Sequence, residues 1–215
     1  MICKWDSVDF ECLKRSLLNV LESIDFNQKW FKIALGFVGF NPVFWNVVAR
    51  LEYGTRFLTR LAGGARQGCY LLALTIFSLG VARDLCFEWS LRSQPVSAVL
   101  NQELVKNVGR VCIGVGQLLV VTSMYQLGIT GTYLGDYFGI LMDNIVTAFP
   151  FNVSNNPMYH GSTLSFLGYS LLQGKPAGLV ITLFVHTMYS LALKFEEPFT
   201  AKIYAQRDAQ RAKKD

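Results

Sequence analysis

Long, nearly uncharged stretches alternate along this chain with short basic or turn-rich ones. A helix that crosses a bilayer needs about 20 apolar residues. Residues 30–49, 68–88, 108–128 and 177–195 meet that length. The first carries Lys32 near one edge and Pro42 inside, so it is expected to kink or to form a re-entrant segment. The second is interrupted late by Arg83-Asp84. Residues 161–173 are apolar but would rise only about 20 Å, short of a hydrocarbon core of about 30 Å. Gln173-Gly174-Lys175-Pro176 reads as a tight turn, which joins 159–197 into a helical hairpin whose full crossing stays open. Upstream, Phe10, Leu13, Leu17, Leu18, Val20, Leu21 and Ile24 fall at helix spacing on one stripe and predict an amphipathic segment lying along the bilayer surface. The expected fold class is all-α: a polytopic helical membrane protein with four to five membrane segments and a C-terminal helical hairpin. The expected divisions are an interfacial segment 1–29, an integral-membrane domain 30–199 and a basic cytosolic tail 200–215.

Composition agrees with this pattern. The 215 residues are 52% hydrophobic and 16% charged, with mean hydropathy +0.31, whereas soluble domains carry about 25% charge. The net charge of +5 is not gathered into a block dense enough for a nucleic-acid groove. Arg50, Arg56, Arg60 and Arg66 face one acid, Glu52, in the segment 50–67. Lys202, Arg207, Arg211, Lys213 and Lys214 load the tail. Both segments are therefore expected in the cytosol. Five membrane segments then put the N-terminus on the lumenal side and residues 129–158 on the cytosolic side. The sequon Asn152-Val153-Ser154 would stay unmodified there. The five cysteines form no CxxC pair, so zinc and dithiol chemistry have little support and no metal is expected. The first 29 residues mix acids and bases and show no pattern of a cleavable signal.

Candidate chemistry gathers at one membrane face. Glu196 and Glu197 follow the last apolar run and precede Pro198. They are either a solvated helix end with the proline as its stop, or a cation site. Gly128, Gly131, Gly135 and Gly139 would share one face of a continuing helix. Helix packing and close approach of a flat ligand both explain such a stripe. Asp136 lies inside it, as an interfacial carboxylate or a functional acid. The turn-rich segment that follows contains Asn155-Asn156-Pro157, and Tyr159, His160 and Gly161 open the hairpin. Counting turns, their partners across the hairpin are Lys194 to Glu197. Carboxylates, amides, bare glycine backbone and aromatics together suit a cationic, nucleoside-like ligand such as S-adenosylmethionine. His186, alone in mid-span, is read as a packed, hydrogen-bonded residue.

The runs "FNPVFWNVVARLEY", "GTYLGDYFGIL", "FPFNVSNNPMYHGSTLSFLGYSL" and "FEEPFTAKIY" resemble the phospholipid methyltransferase family over residues 40 to 205. The resemblance implies a multi-pass enzyme of the endoplasmic reticulum membrane, with a mitochondrial membrane as a second location. Its active site would face the cytosol. It would use S-adenosylmethionine to methylate phosphatidyl-N-methylethanolamine and the dimethyl product to phosphatidylcholine. The family's cofactor elements match Gly114-Val115-Gly116 and Glu196-Glu197. In the topology above Gly114 and Gly116 lie about 18–21 Å from the cytosolic end of their helix. They would therefore pack helices and shape the site indirectly, or the span runs the other way. The hairpin start around Asn156, Tyr159 and Gly161 is similar to that of isoprenylcysteine carboxyl methyltransferases, which implies cofactor contacts there.

The reaction expected is direct displacement by a neutral amine, which needs a proton acceptor because an alkylammonium has a pKa of about 10. Asp136 is the first candidate and His160 another, with the glutamates left for the cofactor. Tyr133, Tyr137 and Phe149, with Phe138, Phe151 and Tyr159, would cage the growing methylammonium. The alternatives are a carboxyl methyltransferase acting on lipidated cysteine and a small non-enzymatic membrane transporter or scaffold. The sequence leaves the oligomeric state open.

Overall fold

A computed structural model describes Leu18, residues 20–144 and residues 146–213. Its described elements are all helical: α1 (Lys29–Thr55), α2 (Phe57–Leu61), α3 (Ala65–Ser93), α4 (Glu103–Thr132), a 3-10 turn (Gly135–Phe138), α5 (Pro157–Gln173) and α6 (Pro176–Arg211). Among the described residues, four segments are long and apolar enough to cross a membrane: Lys29–Thr55, Ala65–Ser93, Glu103–Phe138 and Pro176–Arg211. Most of the amphipathic stripe expected over 1–29 lies outside the described residues. Within the described part, Ile24 joins the core while Leu18 and Leu21 stay exposed.

Neither internal proline ends its helix. Pro42 lies inside α1, which runs 27 residues without a break. Asn46 Nδ2 donates to the Pro42 carbonyl at 3.0 Å, and Asn41 Nδ2 ties the same stretch to Leu79 O of α3. Pro198 lies inside α6, so the reading of it as a stop signal is corrected. The residues beyond it have too much to pack against. Phe199 stacks on Tyr137, and Ile203 is buried in the cluster of Ala49, Leu58 and Phe138. Residues 200–211, expected as a tail, thus continue α6. α1 does stop, at Arg56, which takes a left-handed conformation with φ 56°. The buried Glu52 then accepts from the Leu58 backbone N–H at 2.7 Å and from Thr59, supplying the acceptor that a new helix start needs.

The glycine stripe is also corrected. Gly128 has φ 63° and ψ −178°, a kink that breaks α4 near its end. Gly135 falls in the 3-10 turn, and Gly139 closes it with φ 80°. The four glycines therefore do not share a helix face; Gly128 and Gly139, with positive φ, bend the chain into a turn. Arg56 Nη1 donates to Phe138 O at 2.7 Å and holds that turn against the start of α2.

α1 runs antiparallel to α3, as the Trp30–Trp89 and Asn41–Leu79 contacts show. α6 runs parallel to α1. The tightest helix pair is α4 with α5. A Cβ built on Gly116 would lie 2.5 Å from Gly161 O, and one on Gly109 2.7 Å from Gly168 O. These glycines lie seven residues apart on each helix, which is two turns, so the two backbones meet twice along one seam. The Gly174 turn (φ 63°) between α5 and α6 docks on the α3–α4 loop, where Ser97 N–H donates to Gly174 O at 2.9 Å. The hairpin thus traverses the bundle, although α5 spans only about 25 Å.

Two apolar clusters hold the ends of the bundle. One gathers Phe31, Val38, Phe87, Leu91, Ile181 and Val185; the other gathers Ala49, Cys69, Leu72, Tyr137, Phe138 and Ile203. Along α1, α3 and α6, the positions between these clusters carry Asn41, Trp45, Arg83 and Glu196, and there the bundle opens into a cavity.

Candidate active site

The cavity has a volume of about 670 Å³, within the range of small-molecule sites. Among the described residues, four carboxylates line it, Asp84, Asp136, Glu196 and Glu197, against one guanidinium, Arg83. That balance favours a cationic guest.

Glu196 is the most heavily bonded of the four. Its Oε1 accepts from Trp45 Nε1 at 2.6 Å and from Asn46 Nδ2 at 2.8 Å, and its Oε2 accepts from the Tyr159 hydroxyl at 2.6 Å. One carboxylate thus ties α1, α5 and α6 together. A carboxylate has about four acceptor positions, so Glu196 keeps one, on Oε2. The adjacent Glu197 points about 100° away around the helix. Its Oε1 accepts from Asn156 Nδ2 at 2.8 Å, and the side chain stands exposed at the cavity rim. The expected neighbourhood of 159–161 with 194–197 across the hairpin is therefore present as the Tyr159–Glu196 bond, and Asn156 adds a second one just upstream.

Asp136 stands half-buried on the same wall. Its Oδ2 accepts from Thr200 Oγ1 at 2.8 Å. Thr200 lies one turn beyond Glu196 on α6, which sets Asp136 beside the glutamate rather than across the membrane from it. The turn bearing Asp136 is braced by the Tyr137–Phe199 stack, with centroids 5.0 Å apart, and by the Ile140 N–H to Gly135 O bond. The far end of α6 secures the next residues: Tyr204 OH accepts from Met142 N–H and Arg207 Nη1 donates to Met142 O.

The other residues singled out in the sequence are dispersed. Tyr133, Phe151 and Tyr159 line the cavity. Tyr137 and Phe138 are fully buried behind the turn, and Phe149 stands 41% exposed away from the cavity wall. His160 faces outward, its Nδ1 2.7 Å from Ser154 Oγ in a shallow pocket with Asn152. Gly161 and Gly116 meet in the α4–α5 seam, whereas Gly114 has no neighbour within 4 Å of a built Cβ and Val115 is exposed. None of Gly114, Val115 and Gly116 lines the cavity. His186 is exposed on α6, not packed as expected. Trp45, Asn46 and Thr200 were not singled out for the site. Trp45 and Asn46 do stand in the run "FNPVFWNVVARLEY", where an indole and an amide next to each other in an apolar span are the available signal. Among the described residues no three His, Cys, Asp or Glu side chains gather as a metal set.

A family model described as phospholipid methyltransferase matches residues 105–207. The chain is 56% identical over 205 residues to the phosphatidyl-N-methylethanolamine N-methyltransferase of Saccharomyces cerevisiae, covering 95% of this chain and 98% of the relative. It is 56% identical over 191 residues to the Neurospora crassa protein of the same name, covering 88% and 89%. It is 45% identical over 188 residues to the phosphatidylethanolamine N-methyltransferase of Rattus norvegicus, covering 87% and 94%. No solved structure matches.

Proposed function

Since this chain belongs to the phospholipid methyltransferase family, we propose that it methylates phosphatidyl-N-methylethanolamine and then the dimethyl lipid, ending at phosphatidylcholine. The names of its relatives support that substrate. The observation that carries the site assignment is the convergence of Glu196, Glu197 and Asp136 on one cavity between apolar clusters.

S-adenosylmethionine, when bound, supplies a methyl group on a positively charged sulfur. The residues fit that group: a net-negative cavity, a rim carboxylate on Glu197 with one oxygen outside the Asn156 bond, and aromatic walls at Tyr133, Phe151 and Tyr159. Glu197 and Asn156 would hold the polar groups of the donor. Glu196, fixed by Trp45, Asn46 and Tyr159, keeps that wall rigid and presents its remaining acceptor position. Rigid alignment is worth much of a transfer barrier, because each reactant enters already oriented.

The lipid amine arrives protonated, since its pKa lies near 10. Asp136 accepts that proton and Thr200 steadies the carboxylate through Oδ2. His160 takes no part, because it faces the outer surface. Gly116 acts through the seam with Gly161, which sets the spacing of the wall that carries Tyr159. The lipid enters between α3 and α4, where Phe77, Val81 and Met124 line the cavity and the first two are exposed on its flank.

The cavity end carries Arg50, Arg56, Arg60 and the basic end of α6, so it faces the cytosol by the positive-inside rule. An endoplasmic reticulum membrane, or a mitochondrial one, suits this arrangement. The test is purified protein in lipid nanodiscs with radiolabelled methyl donor. With phosphatidyl-N-methylethanolamine supplied, label is expected in the dimethyl lipid and in phosphatidylcholine, and not in an isoprenylated cysteine acceptor. Label on the cysteine acceptor alone overturns the reading.

A further inference from the structure

Arg83 is a charge inside an apolar span, and nothing in the methyl-transfer reading uses it. Its side chain is 13% exposed, on α3, and it lines the same cavity as the carboxylates. Ionisable groups at such depth are costly and persist where they contact a partner or a substrate. Three of the five guanidinium N–H groups are engaged. Nη1 donates to the Tyr189 hydroxyl at 2.5 Å, Nε to Asp84 Oδ1 at 2.9 Å, and Nη2 lies 2.8 Å from the same oxygen. The plane is held over Phe166, 4.9 Å from the ring centroid. Asp84 approaches from the flank, with a side chain 58% exposed. Among the described residues nothing takes the other two N–H groups, one on each terminal nitrogen, and they are left for a guest. A planar, oriented guanidinium with a donor on each terminal nitrogen is matched to an oxyanion that offers two oxygens.

We infer that Arg83 is the receptor for the phosphodiester of the lipid substrate. Its position agrees with the reaction. Tyr189, which holds Arg83, stands seven residues before Glu196 on α6, about 10 Å along the axis. A methyl–nitrogen approach of roughly 3–3.5 Å and the two-carbon arm of an ethanolamine fit within that interval. The amine then lies at the acidic rim and the phosphate at the guanidinium, while the acyl chains stay toward the α3–α4 flank. Arg83 thereby selects a zwitterionic phospholipid over a free amine, which has nothing to offer it. The inference rests on the lipid-methylation reading above. The same donors also suit the α-carboxylate of the methyl donor, so the experiment separates the two oxyanions.

The full chain, wild type, Arg83→Met and Arg83→Lys, is placed in nanodiscs. Three quantities are read: the Kd for S-adenosylhomocysteine, the KM for phosphatidyl-N-methylethanolamine, and inhibition by glycerophospho-N-methylethanolamine relative to N-methylethanolamine. In wild type the phosphorylated inhibitor is expected to act at about tenfold lower concentration or better. Arg83→Met is expected to abolish that preference and raise KM by about tenfold or more, with the S-adenosylhomocysteine Kd changed less than about twofold. Where Arg83→Met fails to fold, Arg83→Lys keeps the charge without the fork, and a several-fold loss of the inhibitor preference is expected. An unchanged preference in the folded variant overturns the inference. So does a fall in S-adenosylhomocysteine affinity with the lipid KM intact, which assigns Arg83 to the donor's carboxylate. If wild type labels no lipid amine at all, the lipid-methylation reading itself fails, a result distinct from any Arg83 effect.

Discussion

The hydroxyl of Tyr159 donates to Glu196 Oε2 at 2.6 Å, linking the first turn of α5 to the point where α6 leaves its apolar stretch. This bond converts a short hairpin turn at Gly174 into a defined wall of the cavity. Tyr159→Phe keeps the ring packed on Tyr189, at 4.9 Å, and removes only the donor. A hydrogen bond to a charged group is worth about 1.5–3 kcal/mol. S-adenosylhomocysteine affinity is expected to fall roughly tenfold or more, measured by calorimetry in nanodiscs, with the protein still folded.

The two glutamates are expected to separate in their effects. Glu196→Gln places an amide among three donors, Trp45, Asn46 and Tyr159, and leaves at least one of them without its acceptor. It should lower thermal stability as well as activity. Glu197→Gln, at the exposed rim, should leave the unfolding temperature unchanged and weaken S-adenosylhomocysteine binding. Equal effects of both variants on both readouts would remove the division of roles.

Asp136→Asn is expected to reveal its role through pH. With a carboxylate present to take the proton, the protonated lipid amine is used directly, and kcat/KM should vary little between pH 7 and 8.5. Without it, only amine already neutral reacts. The residual rate should then climb about tenfold per pH unit below the amine's pKa. Parallel profiles in wild type and variant would assign the proton to another group. Thr200→Val should reproduce a weaker form of the same change.

Gly114 and Gly116 form one sequence motif but stand in opposite environments. Gly116→Ala drives a Cβ to 2.5 Å from Gly161 O and should destabilise the α4–α5 pair by about 1–3 kcal/mol. Gly114→Ala meets nothing within 4 Å and should be neutral or stabilising by up to about 1 kcal/mol, as alanine favours the helix. Thermal unfolding in detergent distinguishes them.

Much of the architecture was legible in advance. Apolar runs of bilayer length mark the long helices, because a segment in hydrocarbon must satisfy its own backbone. The Gln173–Pro176 turn placed 159–161 opposite 194–197, and Tyr159–Glu196 is a bonded pair there. The glycine run was misread as a continuing helix face. Spacing reports a face only while φ and ψ stay helical, and Gly128 leaves that region.

Taken alone, the chain determined its helical membrane class, its hairpin, its acidic rim and its kinship, since each follows from local spacing or from motifs read in order. Only the tertiary structure decided that Trp45 and Asn46 would reach Glu196 from about 150 residues away, that Thr200 would hold Asp136, and that His160 would face outward. The reason is physical. Inside a bilayer the lipid is as apolar as the helix interior, so hydropathy does not say which helix faces meet. Close backbone seams such as Gly116–Gly161 and polar bonds between helices make that choice.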